Sequence, residues 1–134
     1  MTTIYTIIVF VLGFGLMVLV HEFGHYITGR IFKADIEEFA IGMGPQIFKK
    51  QGKRTLFSIR CVPIGGFVKF KGEDETDKEK IEEVKDNPHY LNNLAVWKRF
   101  IIYASGALMN VVLGFVLLLV LALFIGLPYA HYEE

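Results

Sequence analysis

The chain has 134 residues, 53% of them hydrophobic and 21% charged, and its 14 Lys and Arg balance 14 Asp and Glu to a formal net charge of zero. That leaves room for one small domain, excludes a disordered chain and gives no compositional basis for nucleic acid as a partner. A single cysteine, Cys61, excludes an internal disulfide framework.

The charges are strongly segregated. Positions 1–20 and 100–127 carry no charged side chain, and all 14 basic residues lie between Arg30 and Arg99. As helices, these runs of 20 and 28 residues would reach about 30 Å and about 42 Å. The first matches a hydrocarbon core of roughly 30 Å, and the second must tilt or protrude. A helix is the open-chain element that satisfies its own backbone in lipid, so both runs are expected to span a membrane. A signal peptide is the rival for the first run, but Met1-Thr2-Thr3-Ile4 lacks a basic start and Val20-His21-Glu22 is a poor cleavage site.

The fold class expected is a mainly α membrane protein, with two transmembrane helices joined by a cytoplasmic, membrane-associated β-hairpin loop. In chain order, 1–32 forms the first span and 33–72 the hairpin region. Residues 73–99 form a charged linker and interfacial lead-in, 100–127 the second span and 128–134 an outer tail. The hairpin rests on the alternation of Phe57, Ile59 and Cys61 with Ser58, Arg60 and Val62, and on a turn at Gln51-Gly52-Lys53. Gly42, Gly44-Pro45 and Pro63-Ile64-Gly65-Gly66 mark bends or bulges. Ile64, Phe67, Val68 and Phe70 make this strand sticky, so it should lean on the membrane or the helices; a small soluble hairpin with its own packed face is the alternative. With every basic residue in the connection, 30–99 is expected to be cytoplasmic and both termini outside, and Trp97-Lys98-Arg99 suits an interfacial anchor.

His21-Glu22-Phe23-Gly24-His25 is an H-E-x-x-H sequence at the end of the first run. On a helix, residues four apart share a face, so His21 and His25 can reach one metal ion while Glu22 lies close enough to touch a bound water. Zinc (Zn2+) suits the arrangement: it accepts imidazole nitrogen at about 2.0–2.1 Å, and it lowers the pKa of bound water toward about 7 so that a carboxylate can take the proton. His21 would lie about 27 Å along a helix starting near Thr3, a depth where ionisable groups are costly and usually functional. The bland alternative is an interfacial polar collar, which needs no particular spacing and would be better served by Lys or Arg. His89 and His131 read as solvated surface residues, and Cys61 as a small buried apolar residue rather than a nucleophile.

In the second run Asn110 is the one polar amide, with Gly106 and Gly114 one turn away on its face. Small residues there let another helix approach closely. Asn110 then either makes an interhelical hydrogen bond or binds substrate backbone or a developing oxyanion.

These motifs together resemble the site-2 proteases, intramembrane zinc metalloproteases. Beside H-E-x-x-H, the segments Phe39-Ala40-Ile41-Gly42-Met43-Gly44-Pro45 and Ser58 to Val68 are similar to the membrane-associated hairpin of the bacterial branch, and Ser105-Gly106-Ala107-Leu108-Met109-Asn110 to the opening of the family's next helix. The resemblance implies His21 and His25 as zinc ligands, Glu22 as general base, and Gly65, Gly66, Phe67 and Val68 as a sheet edge that receives an unwound substrate strand. It implies transmembrane substrates of the anti-sigma-factor or signal-peptide-remnant type, and residence in the inner membrane. It also implies a third ligand, an aspartate in an Asp-Gly motif on a later helix beyond PDZ-type domains. Asp35, Asp74, Asp77 and Asp86 are the aspartates of this chain; none precedes Gly and all lie in the connection. The expectation is therefore the amino-terminal half of such a protease, inactive alone and completed by a carboxy-terminal half. The rivals are a non-catalytic membrane adaptor that captures extended segments, and a two-helix structural subunit assembling through the Gly106/Gly114 face.

Overall fold

A computed structural model describes residues 1–73 and 87–125. Helix α1 spans Thr2–Ile31 and helix α2 spans Val96–Ile125, each of 30 residues. Both are long and apolar enough to cross a membrane, and none of the most apolar 18-residue window of either is buried inside the chain. Side chains such as Val9, Phe10, Val111 and Phe115 face outward, as lipid-facing residues do. The tail at 128–134 and most of the charged linker, 74–86, lie outside the described residues.

Helix α1 ends at a left-handed residue, Lys33 (φ 61°). The Ala34 amide returns to the Gly29 carbonyl at 2.8 Å, closing the last turn. Helix α2 begins ahead of the charge-free run: Val96, Trp97, Lys98 and Arg99 form its first turn, and the Trp97 ring meets Phe32 edge-on at 5.4 Å. The expected anchor is thus part of the helix itself.

Strands β1 (Ile36–Gln51) and β2 (Leu56–Phe70) form the hairpin, with the turn at 52–55. The long ribbon does not stay flat. Gly42, Gly44 and Gly65 have φ of 86°, 85° and 84°, and at these bends each strand turns back on itself. The first part of β1 therefore pairs twice, Phe39 with both Val68 and Phe57 and Ala40 with both Phe67 and Ser58. The segment 66–70 lies on one side of it and 56–59 on the other.

Glu38 ties the folded ribbon together. Its Oε1 accepts hydrogen bonds from Ser58 Oγ (2.5 Å), Arg60 (2.9 Å) and Gln46 Nε2 (3.0 Å). Burial by itself would raise the Glu38 carboxyl, but these bonds and the Arg60 charge outweigh it and hold the group below the usual carboxylate range. A depressed carboxylate adds stability above its unfolded pKa and loses it as pH falls through the folded value. The hairpin is expected to lose stability as pH drops below the usual carboxylate range. Glu38→Gln should start less stable and lack that component of the pH dependence. Thermal melting followed by circular dichroism, at about pH 7 and about pH 3, checks both.

A small core closes the polar end of the helix pair. Ala34, Ile36, Phe70, Leu91, Leu94 and Ile102 are buried together, with Tyr26, Phe32 and Val68 packed against them. Each fully buried aliphatic there is worth about 1.5–3 kcal/mol. The Phe70 ring fits over Gly29, where a Cβ would come within 2.6 Å of it. The hairpin leans on α1 through this contact, while Met43, Ile47, Phe48 and Ile64 stay exposed, an apolar surface suited to a bilayer.

The helices approach closely at Gly24. A Cβ there would lie 2.5 Å from the Ser105 carbonyl oxygen and 2.8 Å from Met109 Cγ. Thr28 Oγ1 and Ser105 Oγ share a hydrogen bond at 2.9 Å one turn further on. Gly24→Ala must push backbone from backbone and is expected to cost about 1–3 kcal/mol, seen as a lower melting midpoint in detergent.

Candidate metal centre

His21, Glu22 and His25 lie toward the carboxy-terminal end of α1, where the chain passes from lipid-facing to packed residues. Their helical spacing sets the two imidazoles one turn apart, with ring centroids 4.9 Å apart and planes at 80°. The facing stretch of α2 carries its own pair at the same spacing, Gly106 and Asn110. The rings point into this surface rather than toward the lipid. A Cβ placed on Gly106 would lie 2.5 Å from His25 Nε2 and 2.6 Å from His21 Nε2. Two ring nitrogens thus converge on one space that only the missing side chain keeps open.

The opposite ring nitrogens are held from α2. His25 Nδ1 lies 2.7 Å from the Ile102 carbonyl oxygen. A carbonyl only accepts, so Nδ1 carries the proton and Nε2 of the neutral ring keeps its lone pair. His21 Nδ1 lies 3.2 Å from the Asn110 amide nitrogen, and Asn110 Oδ1 is buried without a hydrogen-bond partner among the described residues. A half-turn of that carboxamide exchanges the two atoms. It pairs the orphaned oxygen with an Nδ1–H of His21 and leaves the second Nε2 lone pair facing the same space.

Glu22 is half-buried beside the hairpin. A Cβ on Gly66 would sit 3.5 Å from Glu22 Cγ, and the Val68 backbone amide faces the Glu22 carboxylate. The four hairpin residues therefore divide. Gly66 and Val68 border the carboxylate, whereas a Cβ on Gly65 would lie 3.0 Å from Met43 Cε, and the Phe67 ring lies 4.8 Å beneath the Arg60 guanidinium. The segment 66–70 pairs with β1 on one side, and among the described residues no strand covers the other.

The remaining polar residues lie elsewhere. Gly114 has nothing within 4 Å of a Cβ position, so of the two glycines only Gly106 meets α1. Cys61 is exposed rather than buried, because the bend at Gly44 turns it outward, with its sulfur 3.8 Å from the Met43 carbonyl oxygen. His89 is exposed but not free: its Nδ1 bonds the Lys33 carbonyl at 3.0 Å and so caps the end of α1. His131 lies outside the described residues.

Gly106 as the wall of the imidazole space escapes sequence reasoning, which gives it a packing role only. Its signal is the spacing itself: Gly106 and Asn110 repeat the one-turn interval of His21 and His25. The Ile102 carbonyl leaves no trace in the sequence.

Two imidazoles whose Nε2 atoms converge on one space fit zinc, which takes nitrogen ligands and needs no redox partner. Among the described residues no group of three or more His, Cys, Asp and Glu is placed to hold a metal ion; catalytic zinc sites take three protein ligands.

Comparison with known proteins gives the same direction. The profile of peptidase family M50 matches residues 9–132. A protein of Clostridium acetobutylicum is 37% identical over 92% of this chain and 34% of its own length. One of Fusobacterium nucleatum is 39% identical over 87% of this chain and 32% of its own, and one of Thermotoga maritima 38% identical over 96% and 25%. All three are provisionally named zinc metalloproteases. The chain spans only a quarter to a third of the length of these relatives. With the match running through both helices, the hairpin and the H-E-x-x-H turn, the chain belongs to peptidase family M50, the family of the site-2 proteases.

Proposed function

We propose that this chain forms the metal-binding and proton-accepting part of a membrane-embedded zinc endopeptidase, which hydrolyses peptide bonds in or near transmembrane segments of other proteins. The observation that carries this reading is the convergence of His21 Nε2 and His25 Nε2 on the space over Gly106, with Glu22 between that space and the Gly66–Val68 strand. Zinc held by the two imidazoles would supply activation of water and stabilisation of charge on the attacked carbonyl oxygen. Glu22 takes the proton of the attacking water and returns it to the leaving nitrogen. Ile102 and Asn110 hold the two rings by their Nδ1 atoms, which makes Asn110 a positioning residue for His21 rather than a substrate contact.

A helical substrate hides its peptide bonds, so it must be extended before attack. The open side of the 66–70 segment offers main-chain hydrogen bonds for such a strand beside Glu22. Anti-sigma factors or signal-peptide remnants are the substrate class that the family resemblance suggests. The third ligand would be an aspartate from the part of the protein that the longer relatives also possess, and the chain of 134 residues alone is inactive in this reading. The segregation of Lys and Arg to 30–99 supports a cytoplasmic connection with both termini outside, in the inner membrane.

Elemental analysis tests the assignment. The protein extended to the length of its relatives should carry about one zinc per chain, and His21→Ala or His25→Ala should lose it together with cleavage of a model transmembrane substrate. Unchanged zinc content in both variants would overturn it.

A further inference from the structure

A second site lies away from the histidines, between the end of α1 and the hairpin turn. A cavity of about 70 Å³ is lined there by Tyr26, Arg30, Lys53, Arg54, Thr55 and Phe57. That space holds a few water-sized groups, enough for one tetrahedral anion and too little for a nucleotide. Three of its six lining residues are cations and none is an acid. Arg30, Lys53 and Arg54 form no ion pair with a described residue. Thr55 is only 3% exposed, yet its Oγ1 is buried with no hydrogen-bond partner among the described residues. An orphaned buried hydroxyl costs free energy unless something fills the cavity and accepts from it.

One wall is aromatic. The Tyr26 ring packs edge-on against Phe57 at 5.9 Å and against Phe39 at 5.4 Å, which sets the turn at 52–55 over the last turns of α1. The depth is also defined. Arg30 is the last residue but one of α1, and the chain next places Phe32 against Trp97, which is 56% exposed with Lys98 Nζ 5.6 Å from its ring. A half-exposed Trp beside a Lys marks headgroup level, so Arg30 and the cavity sit where lipid phosphates lie.

We propose that this cavity binds a phosphate group, with Arg30 and Arg54 as guanidinium donors, Lys53 as a point charge and the Thr55 hydroxyl as the fourth donor. Arginine forks match phosphate oxygens in pairs, and a threonine hydroxyl donates to an acceptor that carries no hydrogen. The phosphate is that of a phospholipid headgroup or a free ion. A bound headgroup would pin the hairpin turn to the bilayer and so fix the height of the Gly66–Val68 edge relative to Glu22. This consequence rests on the proposed substrate edge; the site itself does not.

Native mass spectrometry of the detergent-solubilised protein tests it, with dioleoylphosphatidylglycerol in one arm and dioleoylglycerol, the same chains without phosphate, in another. Retention of the phospholipid should exceed that of the diacylglycerol by about tenfold, and Arg30→Gln/Arg54→Gln should abolish the preference. Thr55→Val should weaken it several-fold. The control Lys49→Gln/Lys50→Gln removes the same charge from β1, outside the cavity, and should leave retention unchanged. A third arm titrates inorganic phosphate by calorimetry. Phosphate heat that disappears in the Arg30→Gln/Arg54→Gln variant, without lipid retention, assigns the site to the free ion. Absence of both the preference for the phospholipid and the phosphate heat, or an equal loss in the Lys49→Gln/Lys50→Gln control, overturns the proposal. Zinc content serves as the independent check: loss of the phosphate site with zinc intact separates this inference from the metal assignment.

Discussion

Glu22→Gln, in the protein extended to the length of its relatives, is expected to cut cleavage of a transmembrane substrate by about 10²–10⁴-fold, the usual contribution of a positioned general base. Glutamine keeps the size of the side chain and its place beside Gly66 and the Val68 amide, but it cannot take a proton from water. His21 and His25 keep their own partners on α2, since neither Nδ1 contact involves Glu22. Zinc content should therefore stay near the native value while turnover collapses. The measurement is a paired one, elemental zinc and cleavage rate on the same preparation. Near-normal turnover would remove Glu22 from the chemistry, and zinc lost along with activity would make it a structural support instead.

The second large effect is expected from a single methyl group. In Gly106→Ala the new Cβ would lie 2.5 Å and 2.6 Å from the two Nε2 atoms and 2.7 Å from His21 Cδ2. These are distances that non-bonded atoms do not hold. The rings must swing away, which breaks the Ile102 contact of His25 or the Asn110 contact of His21. Zinc affinity should fall by at least about 10–100-fold, the range seen when the support of a ligand is disturbed. Helix content should be unaffected, because alanine is the better helix former. Gly24→Ala gives the contrast. It strikes the Ser105 backbone and the Met109 side chain rather than the ring nitrogens, so it should lower the melting midpoint without comparable loss of metal. If Gly106→Ala binds zinc as the native protein does, the metal does not occupy the space over Gly106.

Much of this molecule is legible in the chain before any coordinates. Charge-free runs at 1–20 and 100–127 announce the helices, because lipid tolerates few ionised groups along a span. The alternation around Phe57–Val62 and the turn residues at 51–53 announce the hairpin, because side chains alternate faces along a strand. The interval from His21 to His25 announces a shared face. Less legible are the foldings of the ribbon. Gly42 and Gly65 mark bends, but the double pairing of Phe39 with Val68 and Phe57 depends on how far each bend turns. The exposure of Cys61 follows from the same geometry.

Local spacing by itself determined two imidazoles and a carboxylate on the last turns of a membrane helix, since those relations run along one helix and need no partner. Tertiary structure alone decided where the imidazoles point, which backbone carbonyl and which amide hold them, and which strand borders Glu22. It also decided that Arg30 meets Lys53, Arg54 and Thr55 around one cavity. Those relations join residues far apart in sequence. Their distances are set by the packing of helix on helix at Gly24 and Gly106 and of hairpin on helix at Gly29, and no periodicity within a single segment encodes them.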